Sequence, residues 1–295
     1  MSEFDVTVVL HTRNRATDLR ELFGRLRTQD TAGAFRHQVL VVDNGSSDDT
    51  AAVIAEAKQT SSVPLETVEE PRVGRPFALN TGIARASSPI LAFTDDDTLP
   101  EPDWLLRGWR CLVEEDADAV GGRVLPEWCA QRPSWLTDEV VGDIGRLGLL
   151  DLGSRRLRSR DGETCRFFTS NLFLRRDAVR ALGGWDVKLR YYQDTDLLRR
   201  ARAAGWAMAY EPAAVVRHKI GADRMTPEYF RRRRSAGAAY QAQLAGWRHR
   251  APWVAAGRWI LAVVRGEPWG RRFARELDLR DALRVWRARL GLWPR

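Results

Sequence analysis

A chain of 295 residues, 44 % of them hydrophobic, can bury one large core, or one core plus a smaller appendage. Three widely spaced cysteines (Cys111, Cys129, Cys165), with no Cys-x-x-Cys pair, argue against a disulfide framework or zinc cluster and favour a reducing, cytoplasmic setting. The net charge of +8 is uneven: residues 222–295 hold 17 Arg against 6 Asp or Glu and six of the twelve Trp, so this segment stands at +11 and the first 221 residues at −3.

Residues 5–10 (DVTVVL) read as a strand that runs into the polar turn His11-Thr-Arg-Asn-Arg15. Leu19, Leu22, Phe23 and Leu26 fall at helical spacing over 18–27. Residues 38–42 form a second strand ending at Asp43. Asn44-Gly45 signals a turn, and Ser47 or Asp48 is placed to cap the next helix. A short strand over 65–68, a helix over 75–86 and a strand over 90–93 follow, the last feeding Asp95-Asp96-Asp97. Alternating β and α segments with short connections predict a doubly wound, mainly parallel sheet of Rossmann-like α/β type.

Beyond Asp97 the pattern loosens. A helix over 104–113 and a strand over 119–124 precede an irregular stretch, 127–161, read as loops. A strand over 167–174, a short helix over 176–182 and the Gly183-Gly184 turn come next. A helix over 194–204 stops at Gly205, and two short strands cover 207–210 and 214–218. No signal-peptide pattern opens the chain, and no run approaches the roughly 18 apolar residues of a spanning helix.

The first βα turn has neither G-x-G-x-x-G nor G-x-x-x-x-G-K-[ST], which counts against a dinucleotide dehydrogenase and a P-loop NTPase. Polar groups stand instead at three strand ends: residues 11–15, 43–46 and 95–97. Three adjacent carboxylates repel one another unless a cation or hydrogen-bond donors offset them. Hard carboxylate oxygens suit Mg²⁺ or Mn²⁺, which typically bridge carboxylates to substrate phosphates. A solvated acidic turn is the simpler alternative. Lining one crevice, these ends could place Asp43 on a base or ribose and the aspartates on a metal-bound diphosphate.

The ordered series of motifs resembles a family 2 glycosyltransferase with the GT-A fold. It comprises HTRNR, then Val41-Val-Asp-Asn-Gly-Ser-Ser-Asp-Asp-Thr50, Ala78-Leu-Asn-Thr-Gly82, Asp95-Asp-Asp97 and Ser170-Asn171. Arg175-Arg176, Gly183-Gly-Trp-Asp186, Gln193-Asp-Thr-Asp-Leu197, Ala204-Gly205, Pro212 and His218 complete it. The resemblance implies a GT-A domain over residues 1–221, followed by a basic, Trp- and Arg-rich helical extension over 222–295. It implies metal-assisted, inverting transfer of a sugar from a nucleotide-diphosphate donor to a hydroxyl acceptor, which would be a glycan, a lipid-linked glycan or a small molecule, as in polysaccharide biosynthesis. Asp194 would be the general base. Asp43, His11 and Arg13 would bind the nucleotide, with Asp95, Asp96, Asn80, Asn171 and Trp185 on the donor. Asp97, Asp95 and His218 would hold Mn²⁺ or Mg²⁺. Arg75 would contact the diphosphate, or be a solvated helix charge.

Three positions depart from the family pattern: Gln193 replaces a Glu, Leu79 an Arg and Arg13 a turn tyrosine. Gln193 keeps open a non-catalytic sugar-nucleotide-binding homologue. A nucleotidyltransferase is the other alternative, although HTRNR lacks the glycines of its loop. Trp128 and Trp135 either shape the acceptor site or fill core. In the extension, Trp253, Val254, Gly257, Ile260, Leu261 and Val264 share one helical stripe, and Leu279, Ala282, Leu283, Trp286 and Leu290 share a second. Such helices either pack on the catalytic domain or lie on an anionic membrane, here the inner face of the cell membrane, where lipid-linked glycan acceptors are found. Nucleic-acid binding through Arg231 to Arg234 is a weaker third option.

Overall fold

The computed structural model describes residues 3–145, 147–162, 165–189, 191–236 and 252–289. The chain divides into two compact units: Met1–Glu127 with Gly148–Lys219, and Trp128–Leu147 with Ile220–Arg295. The second unit therefore takes in an internal loop as well as the C-terminal segment.

In the first unit β1 (Val6–Thr12), β2 (His37–Asp43), β3 (Leu65–Glu69) and β4 (Ile90–Asp95) run parallel in the order β3-β2-β1-β4. Helices α1 (Ala16–Arg27), α2 (Thr50–Thr60) and α3 (Arg75–Arg85) connect them. β1 is buried almost throughout, as expected of a parallel strand covered on both faces. Its alternate side chains divide between two cores. Val6, Val8 and Leu10 join Leu19, Leu22 and Leu26 of α1 on one face. Val9 joins Ala78, Leu79 and Ile83 of α3 on the other. Leu79 thus faces the core, where an Arg would have to bury its charge. A Cβ at Gly82 would come within 2.4 Å of Val9 Cγ1, so the close approach of α3 to the sheet requires glycine there.

The sheet continues antiparallel through β8 (Asn171–Arg175), with β6 (Ala119–Trp128) and β9 (Met208–Ile220) beyond it. β5 (Thr98–Pro100) and β7 (Leu157–Arg158) pair with β9. Four expectations change. Residues 207–210 and 214–218 are one strand, β9. Pro212 interrupts its reading in sequence, but the neighbouring Ala213 N–H is met by the Glu211 side chain at 2.9 Å. The strand expected from 167 begins only at Asn171. The stretch 127–161 contains helix α5 (Asp138–Ile144), capped by Thr137 and closed by Gly145 at φ 59°. The capping of α2 is indirect: Asp48 Oδ1 accepts from Thr50 N at 3.0 Å, and the cap position itself is Asp49.

The second unit contains α5, α8 (Pro227–Ala236), α9 (Pro252–Val264) and α10 (Trp269–Arg289). Its core is aromatic. Trp135 meets Phe230, Trp269 and Phe273 edge-on at 6.0, 5.0 and 5.7 Å between ring centres, and Trp269 stacks on Phe273 at 5.1 Å. Half-buried Trp135 is therefore engaged in this aromatic cluster. Trp128 carries the Arg132 guanidinium over its ring at 4.7 Å. Buried Arg234 is paired with Asp281 and Asp278 at 2.8 and 2.9 Å. Among the described residues no helix is long and apolar enough to cross a membrane. Trp253, Val254, Trp286 and Leu290 of the two apolar stripes lie outside the described side chains.

Candidate active site

Parallel register brings the polar strand ends to one edge of the sheet. Thr12 lies beside Asp43 across β1 and β2, and His11 lies beside Asp95 across β1 and β4. This is the carboxyl edge, where open α/β sheets bind ligands. The first two turns are tied together: Asn14, at φ 55°, accepts from Ser47 N at 2.7 Å and donates its N–H to Ser46 Oγ at 3.0 Å. Asp43 Oδ1 accepts from Ser46 N and Oγ at 3.0 and 2.6 Å, and its Oδ2 has no partner among the described residues. Arg13 is exposed on the same turn.

Asn44 does more than turn the chain. Its amide donates to the Glu70 and Arg72 carbonyls at 2.8 and 2.9 Å, and its Oδ1 accepts from Gly74 N at 2.8 Å. Gly74, at φ 146°, is the N-cap of α3. This clamp delivers Arg75 to the sheet edge, where Arg75 Nη2 donates to Asp95 Oδ1 at 2.6 Å.

Arg75 lies in the field of four carboxylates. Desolvation opposes its charge, but Asp95, Asp194, Asp97 and Asp96 outweigh that and raise its pKa above the ordinary value. Burial pushes the Asp95 carboxyl above the usual range, Arg75 pulls it back, and Asp97 and Asp194 add to the rise. Asp96 is raised to about 7, first by burial and then by Asp97 and Asp95. It accepts from Thr12 Oγ1 at 2.9 Å. His11 is lowered to about 3, by burial and then by Arg75, so it is neutral, and its 3.9 Å approach to Asp95 is no ion pair. Among the described residues, Arg75 Nε and His11 Nδ1 are buried without hydrogen-bond partners, as polar atoms awaiting a ligand would be.

Asp97 and His218 meet through the antiparallel pairing of β5 with β9, which sets Thr98 opposite His218. Their side chains approach to 3.3 Å (Oδ1 to Nε2), and Lys219 N donates to the Asp97 carbonyl at 2.9 Å. Asp194 opens helix α7 (Gln193–Ala203). Thr169 N donates to its Oδ2 at 3.1 Å, the Thr169 hydroxyl to its Oδ1, and Trp185 Nε1 also to Oδ1 at 3.4 Å. Gln193, in the position of the family Glu, donates its amide to the Leu189 carbonyl at 3.3 Å.

The expected residues therefore separate into groups. His11, Arg75, Asp95, Asp96, Asp97, His218 and Asp194 form one electrostatic cluster, with Asp43 at the adjacent strand end. Trp185 is 1 % exposed and packs on Phe93 at 5.1 Å, so it offers its indole N–H to Asp194 rather than an open ring to a sugar. Asn80 is engaged with Trp185, donating to its carbonyl and accepting from its N–H, each at 2.8 Å. Asn171 is fully buried. It donates to the Arg123 and Ala214 carbonyls and accepts from Trp104 Nε1, each at 2.8 Å, so its amide is taken up by these bonds. Sequence reading missed Thr12, Asn44, Glu70 and Thr169. Thr12 and Asn44 lie within the sequence motifs and Thr169 beside Ser170-Asn171, whereas Glu70 carried no local signal.

Among the described residues no three His, Cys, Asp or Glu side chains form an all-protein metal cage. The donor set still fits Mg²⁺ or Mn²⁺, which is commonly held by one or two carboxylates together with substrate phosphates. In such a site Asp97 would supply the carboxylate and His218 the imidazole. Asp95 is already shared with Arg75.

The fold is that of the GT-A class. The chain aligns over its whole length with 77 % of the mannosyltransferase PcManGT from Pyrobaculum calidifontis in complex with GDP-Man and Mn²⁺, at a TM-score of 0.58 and 20 % identity. It also aligns over 98 % of its length with 93 % of S. aureus TarS 1-349 in complex with UDP-GlcNAc, at 0.52 and 15 % identity. The profile of Glycosyl transferase family 2 matches residues 7–183, and the chain belongs to this family. It is 30 % identical over 206 residues to glycosyltransferase AglE of Haloferax volcanii, covering 70 % of this chain and 64 % of the relative. It is also 30 % identical over 221 residues to the pre-mycofactocin glycosyltransferase of Mycobacterium tuberculosis, covering 74 % and 43 %. The chain thus spans less than two thirds of the length of either relative.

Proposed function

We propose that the chain transfers a sugar from a nucleoside-diphosphate donor to a hydroxyl acceptor by inverting displacement. One observation carries the reading: Arg75 feels both the acidic triplet at the end of β4 and Asp194 at the start of α7. The groups suited to the leaving diphosphate and the group suited to proton removal thus share one electrostatic neighbourhood.

The residues divide the work by chemistry. Asp43, with Oδ2 available, accepts from the nucleotide. Arg75 Nε and His11 Nδ1 are free to meet the donor's polar groups. Asp194, oriented by Thr169 and Trp185, accepts the proton of the acceptor hydroxyl. Asp97 and His218, aided by Asp95, would hold Mn²⁺ or Mg²⁺, which when bound stabilises negative charge on the departing diphosphate. The GDP-Man, Mn²⁺ and UDP-GlcNAc found with structural neighbours support a nucleotide-sugar donor and a divalent cation. The acceptor is a glycan, a lipid-linked glycan or a small molecule; similarity to the succinoglycan biosynthesis protein ExoM of Rhizobium meliloti, 26 % identical over 223 residues, supports the first. Residues 1–221 are proposed as the catalytic part and 222–295 as an extension meeting an anionic membrane.

A purely binding homologue, suggested by Gln193, is less well supported, because Asp194 has its three donors without that residue. A screen of nucleoside-diphosphate sugars for turnover with Mn²⁺ tests the proposal. Release of nucleoside diphosphate that is lost in Asp194→Asn supports it. Binding without turnover for every donor and acceptor pair overturns it.

A further inference from the structure

A surface helix ordinarily buries its large apolar side chains and shows polar ones to water. Helix α9 does the reverse. Its buried positions include the small residues Ala255 and Ala262, at 6 % and 1 % exposure. Ile260, Leu261, Val263 and Val264 are 53, 46, 41 and 76 % exposed. At 100° per residue, Ile260, Leu261 and Val264 make one outward stripe, with Val263 beside it. Trp269, which opens α10, is a further exposed apolar residue at 44 %. Adjacent large aliphatic side chains left in water mark a surface that meets something else.

The charges beside the stripe indicate what it meets. Arg258 and Arg265, seven positions apart, fall on one flank of the stripe, and both are exposed. Neither has an ion-pair partner among the described residues. Four arginines of α10 behave differently: Arg271 pairs with Glu139, Arg275 with Asp143 and Asp278, Arg280 with Glu276 and Arg284 with Asp281, while Arg272 has no ion-pair partner among the described residues. Two unpaired cations beside an aliphatic stripe complement a surface that is apolar inside and anionic at its rim. A second copy of the chain offers the opposite, since it brings the same +11 segment.

We infer that the outward face of α9 docks into the interface of an anionic lipid bilayer. Ile260, Leu261 and Val264 enter the acyl boundary, while Arg258 and Arg265 lie level with the lipid phosphates. The inference rests on α9 itself, independent of the transfer chemistry. It deepens the proposed membrane contact of the extension by naming the face that makes it.

Flotation of the full-length protein tests this, using phosphatidylcholine vesicles with and without phosphatidylglycerol. The wild type should float with the anionic vesicles at low salt and be released as salt rises. I260E/V264E should lower the bound fraction on the order of tenfold. R258Q/R265Q should remove the preference for phosphatidylglycerol. Q59E/T60E, which adds the same two charges on α2, should bind nearly as well as the wild type. If I260E/V264E unfolds, the neutral Leu261→Gln takes its place, with a smaller loss expected. The inference is overturned if the wild type fails to float, if the α9 variants float like the wild type, or if Q59E/T60E loses as much binding. It is equally overturned if light scattering finds a wild-type dimer that I260E/V264E converts to monomer. Transfer to a soluble acceptor, measured alongside, is expected to be unchanged in the α9 variants. Failure of the docking face is therefore distinguishable from failure of the transfer site.

Discussion

Thr169 holds both oxygens of Asp194, its backbone N–H on Oδ2 at 3.1 Å and its hydroxyl on Oδ1. A carboxylate fixed by two groups of one residue presents its remaining lone pairs in a set direction, which a general base requires. Asp194→Asn is expected to lower kcat by roughly 10²- to 10⁴-fold with donor binding retained. Thr169→Val keeps the backbone donor and loses the hydroxyl, so a smaller fall in kcat, about tenfold, is expected at unchanged donor KM. Thr169→Ser should restore most of it. Steady-state kinetics of the three variants decide the matter. A Thr169→Val enzyme with wild-type kcat removes Thr169 from any positioning role.

The pairing of Asp97 with His218 at 3.3 Å makes a second expectation specific. If these two groups hold the cation, Asp97→Asn and His218→Ala should each weaken Mn²⁺-dependent binding of a nucleoside diphosphate by about tenfold or more. Each should leave the weak binding measured in chelator unchanged. Calorimetry with and without Mn²⁺ separates the two contributions. Equal loss in both conditions would mean that the residues touch the nucleotide or maintain the fold, and not the metal.

Arg75 has one donor on Asp95 and a buried Nε without a partner. Arg75→Gln removes the positive charge from among Asp95, Asp194, Asp97 and Asp96. Binding of a dianionic diphosphate should weaken on the order of tenfold to a hundredfold, because repulsion by the carboxylates is then unopposed. Arg75→Lys should recover only part of this, since an ammonium cannot bridge Asp95 and a phosphate with a planar fork. Titration of nucleoside diphosphate against the two variants provides the measurement. If Lys restores full affinity, the fork geometry has no role.

The parallel half of the fold was legible because its strands are buried on both faces and read as apolar runs ending in polar turns. β1, β2 and β4 follow that rule, and their register alone brings Asp43, His11 and Asp95 to one edge. Helix α5 has only seven residues within a stretch rich in glycine and tryptophan, too short for periodicity to declare itself. The site was legible in its charged members and not in their supports. Asn44 looks like a turn residue, yet its amide clamps a loop some thirty residues away. Trp185, expected on the donor, is buried with its N–H on Asp194. Such partners are made by the fold, and no local pattern announces them.

Glu70 ties together the loop before Arg75. It accepts from the Arg72 backbone N–H, Nε and Nη2 at 2.9, 2.8 and 2.7 Å, and from Thr81 Oγ1 at 2.5 Å. The Arg72 guanidinium, outweighing desolvation and helped by Thr81, lowers its pKa from 4.5 to about 2. The folded value lies below the unfolded one, so ionised Glu70 stabilises the native state fully above about pH 4.5. That contribution fades as pH falls from there toward 2. Glu70→Gln should therefore lower Tm by roughly 3 °C at pH 7. The deficit should shrink as the acid limb is approached, where the wild type also loses the charged form. Nucleotide binding should weaken alongside it at pH 7, because the same loop carries Gly74 and Arg75 to the sheet edge. Thermal melts of both proteins between pH 7 and pH 3 test the sign. A Tm difference that stays constant or widens toward acid would show that Glu70 stabilises the loop by shape and not by charge.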